Sequence, residues 1–284
     1  SGQLNDVFEL LVSPPDGSAA VAEAVLTRLT RPEAVKAMLS QDRVEMSGLD
    51  ALLPRLPLES FGPLLDAMGS SPNRAVRRRL LDWLSQTPVD ISALVIERLN
   101  DERWYVQRNM LVLLERFGRT PQGFSPLRWT KHKDSRVRIE AIRLQLSLAH
   151  ERNTGIRAAL DDRDPRVVRL GLAAVQKQCP VDMIDRVVDW AVDTQASQEI
   201  RVLAVSTLSR LENELALEAL LHLSDGGRTF FGRPRLPPKT PVLVAVLRAL
   251  TGAWARNPRS ARVLAAAARS SDPEVRHAVS SAPS

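Results

Sequence analysis

The sequence predicts an all-α protein, an α-α superhelix of about six to seven two-helix repeats with an N-terminal helical cap. Its main support is a recurring signature, an acidic or small polar residue followed three to five positions later by Val/Ile-Arg or Val/Ile-x-Arg. The aliphatic residues that anchor this signature are Val76, Val106, Val137, Val167, Ile200 and Val275. The first five lie 30, 31, 30 and 33 residues apart, and the last step of 75 fits two repeats, one of which carries an insertion.

Period and composition together favour a solenoid. A near-constant period of about 30 residues is typical of helical repeats, which present a long surface and usually no enclosed catalytic pocket. Hydrophobic residues make up 44% of the 284 residues, enough to bury a continuous core, whereas aromatic residues make up only 4%. The apolar residues are mostly Leu, Val and Ala, which suit closely stacked helices.

The chain divides at the start of the first unit that carries the signature. Residues 1–58 show helical patterning without it, and we interpret them as an N-terminal helical cap or as degenerate repeats. Residues 59–284 form the predicted repeat array. Its units run roughly over 59–88, 89–118, 122–150, 152–179, 181–212 and 214–257, with a partial unit from 258.

Each unit is predicted to hold two helices, the second of which opens with the signature. The clearest start is Asp164-Pro165-Arg166, with Asp as the N-cap and Pro at the first helical position. Asp272-Pro273-Glu274 repeats this start near the C-terminus. The helix that begins at Pro165 should end near Cys179-Pro180, because proline cannot continue a helix.

Two segments interrupt the repeats. In 124–132 a short, proline-containing stretch takes the place of a full first helix. The longer interruption, 225–241, holds three Gly, four Pro, four basic residues and one acidic residue, and it falls between the two helices of one repeat. A long loop inside a compact array is uncommon and often carries function.

Three segments resemble the second-helix signature of HEAT repeats: 164–169, 272–276 and 101–108. The last, with Trp104 and Tyr105, is similar to the aromatic variant seen in many bacterial HEAT-like proteins. The resemblance covers about 59–284 and implies a bacterial HEAT-like solenoid. HEAT arrays serve as scaffolds, transport receptors, tubulin binders, lyase chaperones and nucleic-acid binders, so the resemblance implies a fold rather than one function.

Net charge gives an ambiguous indication of function. A formal charge of +6 and an isoelectric point near 10.2 suggest nucleic-acid binding. However, only five of the basic residues are Lys, and an Arg bias with abundant Ala, Leu and Pro is also what a GC-rich genome produces. Residues 1–60 hold five basic and nine acidic side chains, so the basic character belongs to the repeats.

The arginines of the signature have two interpretations. They could form a positive stripe for a ligand, or a structural ladder in which each pairs with an acidic residue or a helix C-terminal carbonyl of its neighbour. We favour the ladder. Its members are Arg77, Arg108, Arg138, Arg169, Arg201 and Arg276.

Candidate residues for binding a partner or an anion lie in three places. In the basic helix 74–79 the arginines spread over more than half of the circumference, so at least two should face solvent. The insertion interleaves cations for phosphate with phenylalanines for stacking, although the phenylalanines could instead fold back onto the solenoid. Trp129, beside Arg128, Lys131 and His132, should be the most exposed tryptophan. The full set is Arg74, Arg78, Arg79, Arg228, Phe230, Phe231, Arg233, Arg235, Lys239 and Trp129.

Catalytic motifs find little support. The four histidines are widely spaced. The sequence contains no HExxH metal-binding motif, no GxSxG nucleophile motif and no P-loop. A single cysteine, Cys179, rules out a Cys-based zinc site. We therefore expect no enzyme activity, no metal and no cofactor. The resemblance leaves one enzymatic alternative, the HEAT-like glycosylases that remove alkylated DNA bases; Asp82-Trp83 and Asp189-Trp190 are the nearest analogues of their active-site residues, but the paired Trp-Trp-Asp arrangement is absent.

The predicted function is a non-catalytic protein–protein interaction scaffold that binds another protein along the concave second-helix face or through the 225–241 insertion. The alternative is a nucleic-acid or phosphate-ligand binder that uses the basic helix 74–79 and the insertion. We expect no membrane insertion, since no apolar segment approaches about 18 residues, and a cytoplasmic location. Ser1-Gly2 resembles a protease scar, so we expect an excised domain. We also expect this fragment to be monomeric.

Overall fold

The computed structural model describes residues 10–11, 13–41, 46–211, 213–228 and 235–280. Within these ranges every regular element is a helix, apart from an isolated backbone bridge at Arg228. The α-helices are α1 (Ala19–Leu29), α2 (Pro32–Leu39), α3 (Met46–Leu52), α4 (Phe61–Ser70), α5 (Arg74–Leu84), α6 (Ser92–Arg98), α7 (Trp104–Phe117), α8 (Ser135–Ser147), α9 (Arg152–Leu160), α10 (Pro165–Lys177), α11 (Ile184–Val192), α12 (Gln198–Leu208), α13 (Glu214–Leu223), α14 (Pro241–Gly252), α15 (Pro258–Ala268) and α16 (Pro273–Ser280). Short 3-10 helices span Leu53–Arg55, Leu58–Ser60, Pro126–Lys131 and Val181–Met183.

The predicted fold class is confirmed. From α4 onwards the helices come in pairs that adjoin in sequence, with a 3-10 helix as the first member before α8. The second member carries the signature in every pair except α13 and α14. The anchoring aliphatics lie in the core, because each side chain of the six is almost completely buried. Helices α1 to α3 precede the pairs and lack the signature. The protein is therefore an all-α, HEAT-like solenoid of two-helix repeats with an N-terminal helical segment.

The predicted helix starts are confirmed by their caps. Asp164 Oδ1 accepts a hydrogen bond from the backbone N–H of Arg166 at 2.9 Å, and Pro165 occupies the first helical turn of α10. Asp272 accepts from the N–H of Glu274 at 2.8 Å in the same way. These side chains satisfy N–H groups that have no partner inside the helix.

Contacts between Cα atoms group the chain into two compact units, Ser1–Leu144 and Gln145–Ser284. In the N-terminal unit, α4 is the central helix and packs against α2, α5, α6 and α7. Its side chains Phe61, Leu64, Leu65 and Met68 are buried. The N-terminal unit is thus organised around one short helix.

The C-terminal unit has two layers of helices. The second helices α10, α12, α14 and α16 pack against one another in order, and the first helices α11, α13 and α15 form the other layer. The indole N–H of Trp190 on α11 donates to the carbonyl oxygen of Leu160 at the end of α9, at 2.7 Å. One tryptophan therefore links the first helices of two neighbouring repeats.

Both predicted interruptions are present, but the predicted exposure of Trp129 was wrong. A 3-10 helix, Pro126–Lys131, replaces the first helix of its repeat, and the insertion separates α13 from α14.

Trp129 is only 7% exposed. Its ring lies 5.8 Å from that of Phe124, and the guanidinium of Arg128 covers it at 4.9 Å. The 3-10 helix buries Trp129 together with Pro126 and Thr130, whereas Leu127 remains 46% exposed.

The close packing of α9 on α10 makes a stability prediction. A Cβ added to Gly171 would lie 2.9 Å from Ala159 Cβ and 3.0 Å from Leu160 Cδ2. We expect Gly171→Ala to lower the free energy of unfolding by about 1 to 2 kcal/mol, since overpacking outweighs the better helix propensity of alanine. Gly252→Ala is the matched control, because nothing lies within 4 Å of its added Cβ. Urea unfolding followed by circular dichroism measures both; equal stabilities would contradict the close approach.

Candidate functional site

A recurring hydrogen bond holds the turn between the two helices of a repeat. The side chain that directly follows the anchoring aliphatic donates to the backbone carbonyl oxygen six residues earlier. These bonds run from Arg77 to Ser71, from Gln107 to Asp101 (2.6 Å), from Arg138 to His132 (2.9 Å) and from Arg276 to Ser270 (2.7 Å). Arg201 donates to a carbonyl of its own repeat as well, that of Ala191 at 3.2 Å.

Arginines one position further along contact the next repeat instead. Arg108 donates to Glu140 Oε1 at 3.0 Å, and Arg169 lies 2.8 Å from Glu199. Successive helical residues are about 100° apart, so the first position faces the turn and the second faces the neighbouring repeat. The six recurrent arginines thus divide into four that bind their own repeat and two that bind its neighbour.

Three consecutive repeats share an Asp-x-Arg turn at the start of the second helix. The aspartate accepts a hydrogen bond from the backbone N–H of the arginine, and the guanidinium donates to both oxygens of the same carboxylate. The Nη2–Oδ2 distances are 2.6 Å for Arg103–Asp101, 2.7 Å for Arg136–Asp134 and 2.8 Å for Arg166–Asp164. The hydrogen bond from Arg136 lowers the pKa of Asp134 to about 2. The carboxylate of Asp134 therefore stays ionised at neutral pH and fixes the direction of Arg136.

The Asp-x-Arg turn before α8 places a guanidinium on an aromatic ring. Arg136 lies 3.4 Å above the centroid of Trp104, the first residue of α7. Trp104 in turn meets Tyr105 edge-on, with the ring centroids 5.8 Å apart, and Arg103 lies 5.7 Å from the Tyr105 ring. Tyr105 remains 38% exposed. Two repeats thus share a layer in which two adjoining aromatic rings are each contacted by an arginine.

This layer borders a groove of about 680 Å³ in the N-terminal unit, which we call the arginine–tryptophan groove. Its lining consists of Gly69, Ser70, Ser71, Pro72, Arg77, Trp104, Tyr105, Arg108, Asn109, Arg136, Ile139, Glu140 and Arg143. At its floor the nearly buried Glu140 accepts from Arg108 and from Arg143, each at 3.0 Å. Four arginines and one glutamate leave the lining with a surplus of positive charge.

The predicted residues of the basic helix face solvent but are partly engaged. Arg74, Arg78 and Arg79 are exposed. Arg79 lies 2.6 Å from Asp50, and Arg78 lies 4.0 Å from Asp82 one turn along. These arginines do not line the arginine–tryptophan groove, whose only contribution from α5 is Arg77.

The predicted residues of the insertion have different surroundings. Phe230, Phe231 and Arg233 lie outside the described residues. Arg228 and Arg235 are exposed and line a second groove, on the C-terminal unit. Lys239 instead binds Glu274 at 2.5 Å and Asp272 at 3.4 Å, and the hydrogen bond to Glu274 raises the pKa of its ammonium.

The structure also brings together residues that the sequence analysis did not select. Tyr105, Arg136, Glu140 and Arg143 meet in one groove although they come from two repeats. The spacing of the Asp-x-Arg triplets, at Asp101, Asp134 and Asp164, was the available signal.

Comparison with solved structures agrees with the helical pairs. A crystal structure of a Kap121p mutant, a HEAT/ARM-repeat karyopherin, matches 98% of this chain with a TM-score of 0.54 and 13% sequence identity. The fold is a helical-repeat solenoid. The chain spans 35% of the length of that solenoid. An engineered protein matches 97% of the chain, over 82% of its own length, with 17% identity and a TM-score of 0.43, too low to indicate a shared fold.

Sequence comparisons add no closer relationship. No family model matches the chain, and no curated protein matches it. Across the described ranges, none of the helices combines the length and the apolar character that crossing a membrane would need.

The Asp-x-Arg turn before α8 makes a pH prediction. Because the folded-state pKa of Asp134, about 2, lies below its ordinary value of 3.8, its stabilisation is complete above about pH 4 and is lost as the pH falls towards 2. We expect Asp134→Asn to lower the free energy of unfolding at pH 7 by about 1 to 2 kcal/mol. This difference should shrink progressively below about pH 4 and vanish only below about pH 2.

Thermal unfolding of both proteins between about pH 2 and pH 6 measures this difference. Asp16→Asn, which removes the same charge from an exposed turn, is the matched control. A gap between wild type and Asp134→Asn that stays constant across the range would contradict the ion pair.

Proposed function

We propose that the chain is a non-catalytic interaction scaffold of the HEAT-repeat type that binds an acidic segment of another protein in the arginine–tryptophan groove. A bacterial origin, a cytoplasmic location and binding along the concave second-helix face belong to this proposal. The observation that carries it is the layer in which Arg136 covers Trp104 beside the exposed Tyr105.

The residue types of the groove support protein binding. Tryptophan, tyrosine and arginine are the residues that most often dominate the energy of protein interfaces. Here Tyr105 is 38% exposed, and the side chains of Arg108, Arg136 and Arg143 are 40%, 51% and 50% exposed. A partner could therefore reach both aromatic edges and guanidinium donors without rearranging the turn.

The charge of the groove supports an acidic occupant. Arg108 and Arg143 share one carboxylate, that of Glu140, so their remaining N–H donors can bind a second carboxylate from a partner. Since Arg136 is held by Asp134 and Trp104, its donors are oriented before any partner arrives. Such preorganisation reduces the entropy lost on binding.

Selection of short random peptides displayed on phage, followed by fluorescence anisotropy, tests the proposal. We expect the selected peptides to carry Asp or Glu next to an apolar residue. Tyr105→Ala and Arg143→Ala should each weaken their binding about tenfold, because interface residues of these types commonly contribute more than about 1 kcal/mol. Arg78→Ala is the control, since it removes one positive charge from a side chain that is 85% exposed and outside the groove.

Three results would contradict the proposal. The selected peptides could lack acidic residues, they could bind both groove variants as tightly as the wild type, or Arg78→Ala could weaken binding as much as Arg143→Ala. The last result would assign binding to the basic helix 74–79. Circular dichroism of each variant shows whether the helices are retained.

A further inference from the structure

Positive charge is concentrated at the C-terminal end of the sequence. Residues 225–284 hold ten basic and three acidic side chains, a balance of +7. Because the whole chain carries +6, residues 1–224 carry −1. The high isoelectric point therefore comes from the insertion and from the last three helices, not from the repeats as a whole. Such a concentration creates a local field that attracts polyanions.

The insertion is closed at its base by two backbone hydrogen bonds. The N–H of Gly226 donates to the carbonyl oxygen of Arg235 at 2.8 Å. The N–H of Arg235 donates to the carbonyl oxygen of Gly227 at 2.9 Å. A Cβ on Gly226 would lie 2.3 Å from the carbonyl carbon of Leu236, and Gly227 has a φ of +87°. Glycine is required at both positions, since the first allows the close approach and the second the positive φ. The closed base holds Arg228 and Arg235 next to each other.

Helix α15 brings two more arginines to the same place. Arg228, Arg235, Arg259 and Arg262 line a groove of about 450 Å³, which we call the insertion groove, together with Asp225. Arg259 and Arg262 are three residues apart and so lie on one face of α15. Arg259 binds Glu218, with Glu214 at 3.7 Å. Among the described residues, no carboxylate lies within 4.0 Å of the guanidinium groups of Arg228, Arg235 or Arg262.

We propose that the insertion groove binds the phosphate backbone of a nucleic acid. Three exposed guanidinium groups that have no carboxylate within 4.0 Å among the described residues converge on one groove and fit successive phosphates. The fork of each can bind two phosphate oxygens. Contacts of this kind neutralise phosphates without reading the base sequence. The surface lies in the C-terminal unit and does not depend on the function proposed for the arginine–tryptophan groove.

Fluorescence anisotropy with labelled single-stranded and duplex oligonucleotides, measured from about 50 mM salt upwards, tests this proposal. The double variant Arg235→Glu/Arg262→Glu should bind at least about tenfold more weakly at the lowest salt, and the slope of log affinity against log salt should fall by about 2. Arg163→Glu/Arg210→Glu is the matched control, because it reverses two exposed charges of the same unit outside the groove. Thermal unfolding verifies that each variant folds.

Each outcome decides the proposal. Loss of affinity in the groove variant with retention in the control supports it, and the preference for single strand or duplex identifies the form of the nucleic acid. Absence of binding to both oligonucleotides at low salt overturns it, as does equal weakening by the two double variants. A polyglutamate chain of matched length that competes as well as unlabelled oligonucleotide would also overturn it, and would assign the surface to an acidic protein.

Discussion

The satisfaction of backbone carbonyl groups in the turn between paired helices is the constraint on which the rest of the structure depends. The first helix of a repeat ends with carbonyl oxygens that have no partner inside the helix. The side chain that follows the buried aliphatic supplies donors to them, as Arg138 does for His132 and Lys133. Because valine anchors the helix in the core while its neighbour binds the turn, both the start and the rotation of the second helix are fixed.

This constraint explains why arginines that look alike in sequence have different roles. An arginine directly after the aliphatic donates to a backbone carbonyl in the turn of its own repeat. Gln107 makes the same kind of hydrogen bond at this position. The next position is held by Arg108, which reaches Glu140 of the following repeat. In the repeat of Val167 a second valine, Val168, occupies the first position, and Arg169 likewise contacts the neighbour, at Glu199. The difference between Val-Arg and Val-x-Arg therefore separates contacts within a repeat from contacts between repeats.

Sequence predicted the fold well because period, caps and helix breakers are local. It predicted the sites less well because they combine repeats. Arg136 and Trp104 are 32 residues apart, and no period indicates that one covers the other. The exposure of Trp129 was also misjudged, because its polar sequence neighbours suggested a solvent-facing ring. In the structure the guanidinium of Arg128 covers that ring. In the insertion, composition suggested that Lys239 binds an anion, whereas Glu274, distant in sequence, already pairs with it.

The two grooves differ in how far their arginines are neutralised, and this difference favours different ligands. In the arginine–tryptophan groove, Arg136 binds Asp134, and Arg108 and Arg143 share Glu140. These carboxylates neutralise part of the positive charge, so the groove presents oriented N–H donors and aromatic rings with a modest net charge. That combination suits a peptide, whose apolar contacts resist screening by salt. The insertion groove offers charge without comparable neutralisation. Its interactions would depend on counterion release, which suits a polymer of phosphates. Pairing of arginines, rather than their number, therefore distinguishes the two surfaces.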